Sequence, residues 1–137
     1  MASMVDYMVL FDGAFEMDTS PGGPGDTKKL TFDLPADFTV GTNLAKPILA
    51  FLINPRSDSV QVGVWVNPEG PNVQLNQSTQ EIALSWSSAQ HIDQAQWEPI
   101  HGAKFKKGGE NQLWFKAWKG HVRVLNVILW YQRGAGS

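Results

Sequence analysis

The chain has 137 residues, no cysteine, six tryptophans, 13 glycines and eight prolines, and its 11 basic and 13 acidic side chains leave a formal charge of −2. That balance excludes a global field able to hold nucleic acid or an anionic membrane, and the missing thiols exclude disulfides, zinc–thiolate sites and cysteine nucleophiles. A chain of this length buries about two thirds of the surface its unfolded form exposes, so a single domain over residues 1–137, stabilised by packing, is expected.

No apolar run approaches the roughly 18 to 20 residues of a bilayer span, and no charged segment leads into an apolar one at the N-terminus. The sequence as it stands therefore reads as soluble and unexported, with no compartment indicated. Met1 to Ser3 read as a cloning remnant and are set aside.

Val5 to Asp12 predicts a first strand with Tyr7, Val9 and Phe11 on one face and Met8 and Leu10 on the other, both faces apolar. Asp18 to Lys28 stacks Pro, Gly, Ser and Asp and predicts a surface loop; its carboxylates lack the spacing of a calcium loop. Leu30, Phe32 and Leu34 alternate with polar residues as a half-exposed strand stopped by Pro35. After a polar connection over Ala36 to Lys46, the run ILAFLI predicts a central strand covered on both sides. Val60, Val62, Val64 and Val66 then alternate with Gln61, Gly63, Trp65 and Asn67. The valines belong to the core, which sends Gln61, Trp65 and Asn67 to the opposite face and leaves a notch at Gly63.

Val73 and Leu75 suggest a short following strand, and Thr79 to Trp86 another, with Ile82, Leu84 and Trp86 on its buried side. Ser87 to Gly102 has no sustained period; a helical turn followed by a strand at Trp97 to Ile100 is expected there. The two longest strands come last, Asn111 to Trp118 and His121 to Gln132, joined by a turn at Lys119-Gly120. In the first of them Leu113, Phe115 and Ala117 face the core, while Trp114, Lys116 and Trp118 face away. No helical apolar period persists over three turns, and eight or nine short strands are punctuated by Gly, Pro, Asn and Asp. The fold class is therefore all-β, an antiparallel β-sandwich, with jelly-roll connectivity placed ahead of an immunoglobulin-like order.

The search for chemistry yields little. There is no G-x-S-x-G, P-loop or dinucleotide fingerprint, and His91, His101 and His121 do not form a compact metal pair. His91 and Asp93 stand two apart, in a segment of loop composition that reads as a solvated pair. Glu81 and Glu98 are the best carboxylates for a glycosidase, yet nothing in the sequence brings them together. No catalysis, cofactor or metal is expected. The aromatic face is more informative: Trp65 stands beside Gln61 and Asn67, and Trp114 and Trp118 flank Lys116. Indoles pack on the C–H face of a sugar while amides and ammonium groups meet its hydroxyls, so these six residues are the predicted carbohydrate-binding set. The alternative is a structural or assembly module, a virion or appendage component, in which the same rings meet another subunit of a homo-oligomer.

Trp97, Phe105, the turn KKGGEN, the strand LWFKAW, Gly120 and VRVLNVILWYQ together resemble the galactose-binding-like β-sandwiches over the last 40 or so residues. Gly109 and Asn111 match the G-x-N part of that pattern, and Asn126 stands where aspartate is common. The resemblance implies a jelly roll with a concave face and loops able to bind sugar, as in accessory modules without catalysis. The family's calcium site does not carry over, since YMVLFDG lacks paired acidic residues.

Overall fold

The computed structural model describes residues 4–23, 25–39, 46–68 and 74–134. Eight strands follow in order: β1 (Met4–Asp18), β2 (Thr27–Asp33), β3 (Ile48–Pro55), β4 (Val60–Val66), β5 (Ile82–Trp86), β6 (Gln94–Pro99), β7 (Glu110–Lys119) and β8 (His121–Arg133). They form two antiparallel four-stranded sheets, β1-β8-β3-β6 and β2-β7-β4-β5. Pairing is nested, β1 with β8, β2 with β7, β3 with β6 and β4 with β5, as if one long hairpin had been rolled up. That is jelly-roll connectivity, the first of the two orders expected.

Several boundaries differ from the sequence reading. β1 runs six residues past Asp12, because Gly13 at φ 106° and Asn126 at φ 52° place irregularities in β1 and β8 that let the pairing resume at Ala14. The Asn126 side chain accepts the Gly13 N–H at 3.2 Å, which holds the two irregularities together. The strand expected around Val73 and Leu75 is not formed at Gln74–Asn76, and Val73 lies outside the described residues. β6 begins at Gln94, and the short helical turn follows it, at Gly102–Lys104, instead of preceding it.

The turn at Lys119-Gly120 does not make a hairpin. β7 and β8 lie in opposite sheets, and the chain crosses the sandwich between them. Glycine is required at this corner: φ is 83°, and a Cβ would sit 2.7 Å from the Ser57 hydroxyl and 3.0 Å from the Ser59 carbonyl. The Ser57 hydroxyl accepts the His121 N–H at 2.8 Å, and the Gly120 carbonyl accepts the Thr19 N–H at 3.1 Å, so the crossing is tied on both sides.

Because the sheets face each other, alternation along β2, β7 and β8 sorts residues into core and surface. Leu113, Phe115 and Ala117 of β7 are buried against Val122, Val124, Val127 and Leu129 of β8 and against Leu49, Phe51 and Ile53 of β3. Phe115 meets Phe51 edge to face at 5.4 Å and Phe15 at 5.5 Å, so one ring on the second sheet touches two strands of the first. At one end Phe38 packs on Phe105 and Tyr131, closing the sandwich. Arg133 bridges Asp6 at 3.2 Å and Asp37 at 3.1 Å beside it.

This sorting gives an expected outcome. Leu113→Ala leaves a cavity in a packed interior and costs about 2 to 5 kcal/mol, a large share of a domain's total stability, whereas Trp114→Ala, on the opposite face of the same strand, costs clearly less. Thermal melting of the two purified variants checks it; the reverse ranking would invert the register of β7.

Candidate functional site

The outer face of the sheet β2-β7-β4-β5 collects most of the residues singled out above. β7 presents Gln112, Trp114, Lys116 and Trp118 outward in sequence, each about 6.8 Å from the next, which puts the two indoles roughly 13 to 14 Å apart along one strand. β2 sets Lys29 opposite Trp114 and Thr27 opposite Lys116. β4 sets Trp65 opposite Trp114 and Gly63 opposite Lys116.

Each half-buried indole carries an ammonium on its ring and an amide on its N–H. The Lys29 Nζ lies 5.6 Å from the centroid of Trp114, whose Nε1 donates to Gln112 Oε1 at 3.0 Å. The Lys116 Nζ lies 4.8 Å from the centroid of Trp118, whose Nε1 donates to Gln80 Oε1 at 3.3 Å. Lys116 also faces Asp26 at 3.9 Å. Among the described residues Lys29 has no carboxylate within ion-pair distance, so the strip has a net positive character at the Trp114 end.

Trp65 is placed differently from the expectation. It does lie on the outer side of β4, yet only 1% of it is exposed. Its Nε1 donates to the Asn76 carbonyl at 3.0 Å and to the Thr79 hydroxyl at 3.2 Å, under the segment that leads into β5. Its ring meets Trp118 nearly edge-on at 5.7 Å. The notch expected at Gly63 is filled for the same reason. A Cβ there would collide with the Gln80 side-chain oxygen and lie 2.7 Å from the Trp65 ring and 3.0 Å from the Trp118 Nε1. Trp65 is thus a support beneath Trp118 and offers no ring face to a ligand.

Asn67 is also committed within the chain. At φ 48° it ends β4; its side-chain oxygen accepts the Gln112 N–H at 2.8 Å, and its Nδ2 donates to the Lys104 carbonyl and to Asn111 Oδ1. With both amide hydrogens used, it anchors β4 to β7 and to the loop before β7. Gln61 is half-buried at the other end of β4, opposite Ser85 and, past a bulge, Lys119. The structure therefore brings Trp114, Lys116 and Trp118 together, leaves Gln61 at the margin, and removes Trp65 and Asn67 from direct contact with a ligand.

Asn111 explains the G-x-N text. It is fully buried, accepts the Lys106 N–H at 2.8 Å and donates to the carbonyls of Lys106 and Gly109, both at 3.0 Å. The residue closes the KKGGEN loop as a structural clamp.

Sequence reasoning missed Lys29, Gln80 and Gln112. The outward phase of Lys29 was readable from Leu30 and Phe32, but its place beside Trp114 depends on β2 pairing with β7. Of the carboxylates considered for catalysis, Glu81 receives the Val66 N–H at 3.0 Å and Lys104 at 3.4 Å beside the second sheet, while Glu98 lies on β6 of the first. Asp93 accepts from Asn54 at 3.0 Å, and His91 is exposed. A polar depression of about 340 Å³ lined by Ala14, Phe15, Glu16, Arg56 and Arg123 belongs to the first sheet, away from the indoles.

No protein-family model and no curated protein matches the chain. Among solved structures it is similar to the infectious bursal disease virus VP2 subviral particle (10% identity, TM-score 0.46), covering 97% of this chain and 38% of that one. It is similar to the cleaved adhesin domain of Lys-gingipain from Porphyromonas gingivalis (10%, 0.44), covering 92% of this chain and 97% of the other. A third similarity is to the CBM36-1 domain of a multidomain xylanase from the hindgut metagenome of Trinervitermes trinervoides (10%, 0.38), covering 99% and 100%. The chain thus spans well under half of the viral protein.

The clamp generates a test independent of any ligand. Asn111→Ala strands the carbonyls of Lys106 and Gly109, the Lys106 N–H and one Asn67 amide hydrogen in a part-buried place, so a loss of about 3 kcal/mol is expected, against less than about 1 kcal/mol for an exposed neighbour such as Glu110→Ala. Chemical denaturation of both variants measures the difference.

Proposed function

We propose that the domain is a non-catalytic carbohydrate-binding module whose platform is the Trp114–Lys116–Trp118 strip of β7, flanked by Lys29 and, at its margin, by Gln61. The observation that carries this reading is the repeated unit along one strand: a half-buried indole, an ammonium over its ring and an amide on its N–H, occurring twice about 13 to 14 Å apart. A pyranose ring lays its apolar C–H face on an indole, and its hydroxyls accept from the lysines and exchange hydrogen bonds with Gln112 and Gln80. Two indoles at that spacing suit a chain of sugars better than a single ring. Lys29 and Lys116 add a preference for glycans that carry carboxylate or sulfate. Trp65 serves this platform from below by fixing the angle of Trp118, and Asn67 by fixing β4 against β7.

A glycan array followed by calorimetry tests the proposal. Binding is expected in the micromolar to millimolar range, with Trp114→Ala and Trp118→Ala each weakening it at least about tenfold, while both variants keep a cooperative melt. Lys29→Ala is expected to weaken acidic glycans more than neutral ones and to flatten the salt dependence. Absence of binding to every neutral and acidic glycan at millimolar concentration would sink the reading. If Trp114→Ala instead dissociated an oligomer, the strip would be a subunit contact.

A further inference from the structure

The two outer faces of the sandwich differ in kind. Where the β7 side mixes indoles with lysines and amides, the outer face of β1-β8-β3-β6 carries an apolar block that crosses all four strands, with Glu16 and Arg123 farther along β1 and β8. Register aligns Tyr7, Trp130, Ile48 and Pro99 in one row. The next row aligns Val9, Ile128, Ala50 and Trp97. None of these eight positions carries a charge. Trp97 is 62% exposed, more than the half-buried indoles of β7, and Val5, Tyr7 and Val9 are 69%, 55% and 50% exposed. Tyr7 packs on Trp130 at 5.1 Å, so the aromatic groups are held in place across the sheet.

Three features say what closes this face. The first is area. Val5, Tyr7, Val9 and Trp97 alone offer on the order of 400–500 Å², and the partly exposed Ile48, Ile128 and Trp130 bring the total toward the roughly 800 Å² per partner of a standard interface. The second is shape. A twisted sheet packs best on another of like twist, face to face at about 10 Å, and a second copy supplies one of equal width. The third is charge and edge. The two apolar rows hold no charge to repel a second copy, the charges of the same face, Glu16 and Arg123, lie in register with each other farther along β1 and β8, and the border strand β1 carries no lysine or proline from Val5 to Phe11, whereas β6 ends in Pro99 and β2 carries Lys28 and Lys29. We propose that two copies of the chain pack through the outer faces of their β1-β8-β3-β6 sheets, with Trp130, Ile128 and Ile48 of the two inner strands at the centre of the contact and Tyr7, Val9 and Trp97 on its flanks. The proposal uses a surface separate from the sugar platform and does not depend on it.

Sedimentation of the full chain over about 1 µM to 1 mM reads the result directly. A reversible monomer–dimer equilibrium is expected, and the exposed-site substitutions Val9→Lys and Trp97→Lys, together, should raise the dissociation constant at least about thirtyfold. Melting of the variant in the dilute, monomeric range should match the parent, which separates lost association from lost folding. Trp114→Ala should leave association unchanged. A monomer at every concentration overturns the proposal, as does a dimer indifferent to the paired lysine substitutions. A monomer that instead floats with neutral phosphatidylcholine vesicles overturns it in favour of a lipid surface. Glycan binding retained by the Val9→Lys, Trp97→Lys variant, or lost from both proteins, bears only on the sugar platform.

Discussion

Everything on the β7 side rests on Phe115. Its ring reaches across the sandwich to Phe51 on β3 and Phe15 on β1, meeting both edge to face, and so fixes the phase of a ten-residue strand with a single buried side chain. Because side chains alternate with a period of two, locking Phe115 inward also locks Trp114 and Lys116 outward. A slip by one residue would bury a lysine and two indoles in an aliphatic core. The surface strip is thus a by-product of core packing, and its geometry is as rigid as the core that sets it.

The ends of that strand are held by polar means. Buried Asn111 and half-buried Asn67 form an amide pair that satisfies the KKGGEN loop, the end of β4 and the start of β7 at once. Buried amides of this kind are worth keeping only when each group is paired, as these nearly all are. The G-x-N text of this chain therefore reports how a loop is closed.

The sequence disclosed alternation well and adjacency poorly. Val60 to Val66, Leu113 to Ala117 and Ile82 to Trp86 each declare a buried face through a local period, and the structure agrees on all three. Trp65 failed for a reason no local pattern contains. Its outward phase was read correctly, but the cover comes from Asn76, Thr79 and Gln80, which return over β4 only after a long connection. Asn67 failed similarly, since its partners Lys104, Asn111 and Gln112 lie some 40 residues on. The apolar outer face of the first sheet was half legible: β1 was read as apolar on both sides, but Trp97, Trp130 and Ile48 join Tyr7 only through pairings between distant strands.

The nested pairing also sets the order in which the molecule can be made. β4 and β5 are separated by one connection, β3 and β6 by more, and Met4 finally pairs with Arg133 at the far end of the chain. Loop-closure entropy rises outward through this series, so the innermost pair is the natural nucleus and β1 with β8 the last to zip. Until β8 arrives, β1 has no hydrogen-bonded neighbour, and Leu49, Phe51 and Ile53 of β3 and the valines of β4 wait for part of their cover. Folding on the millisecond-to-second scale of non-local β proteins follows, with the apolar first strand exposed longest and most in need of protection from its neighbours on the ribosome.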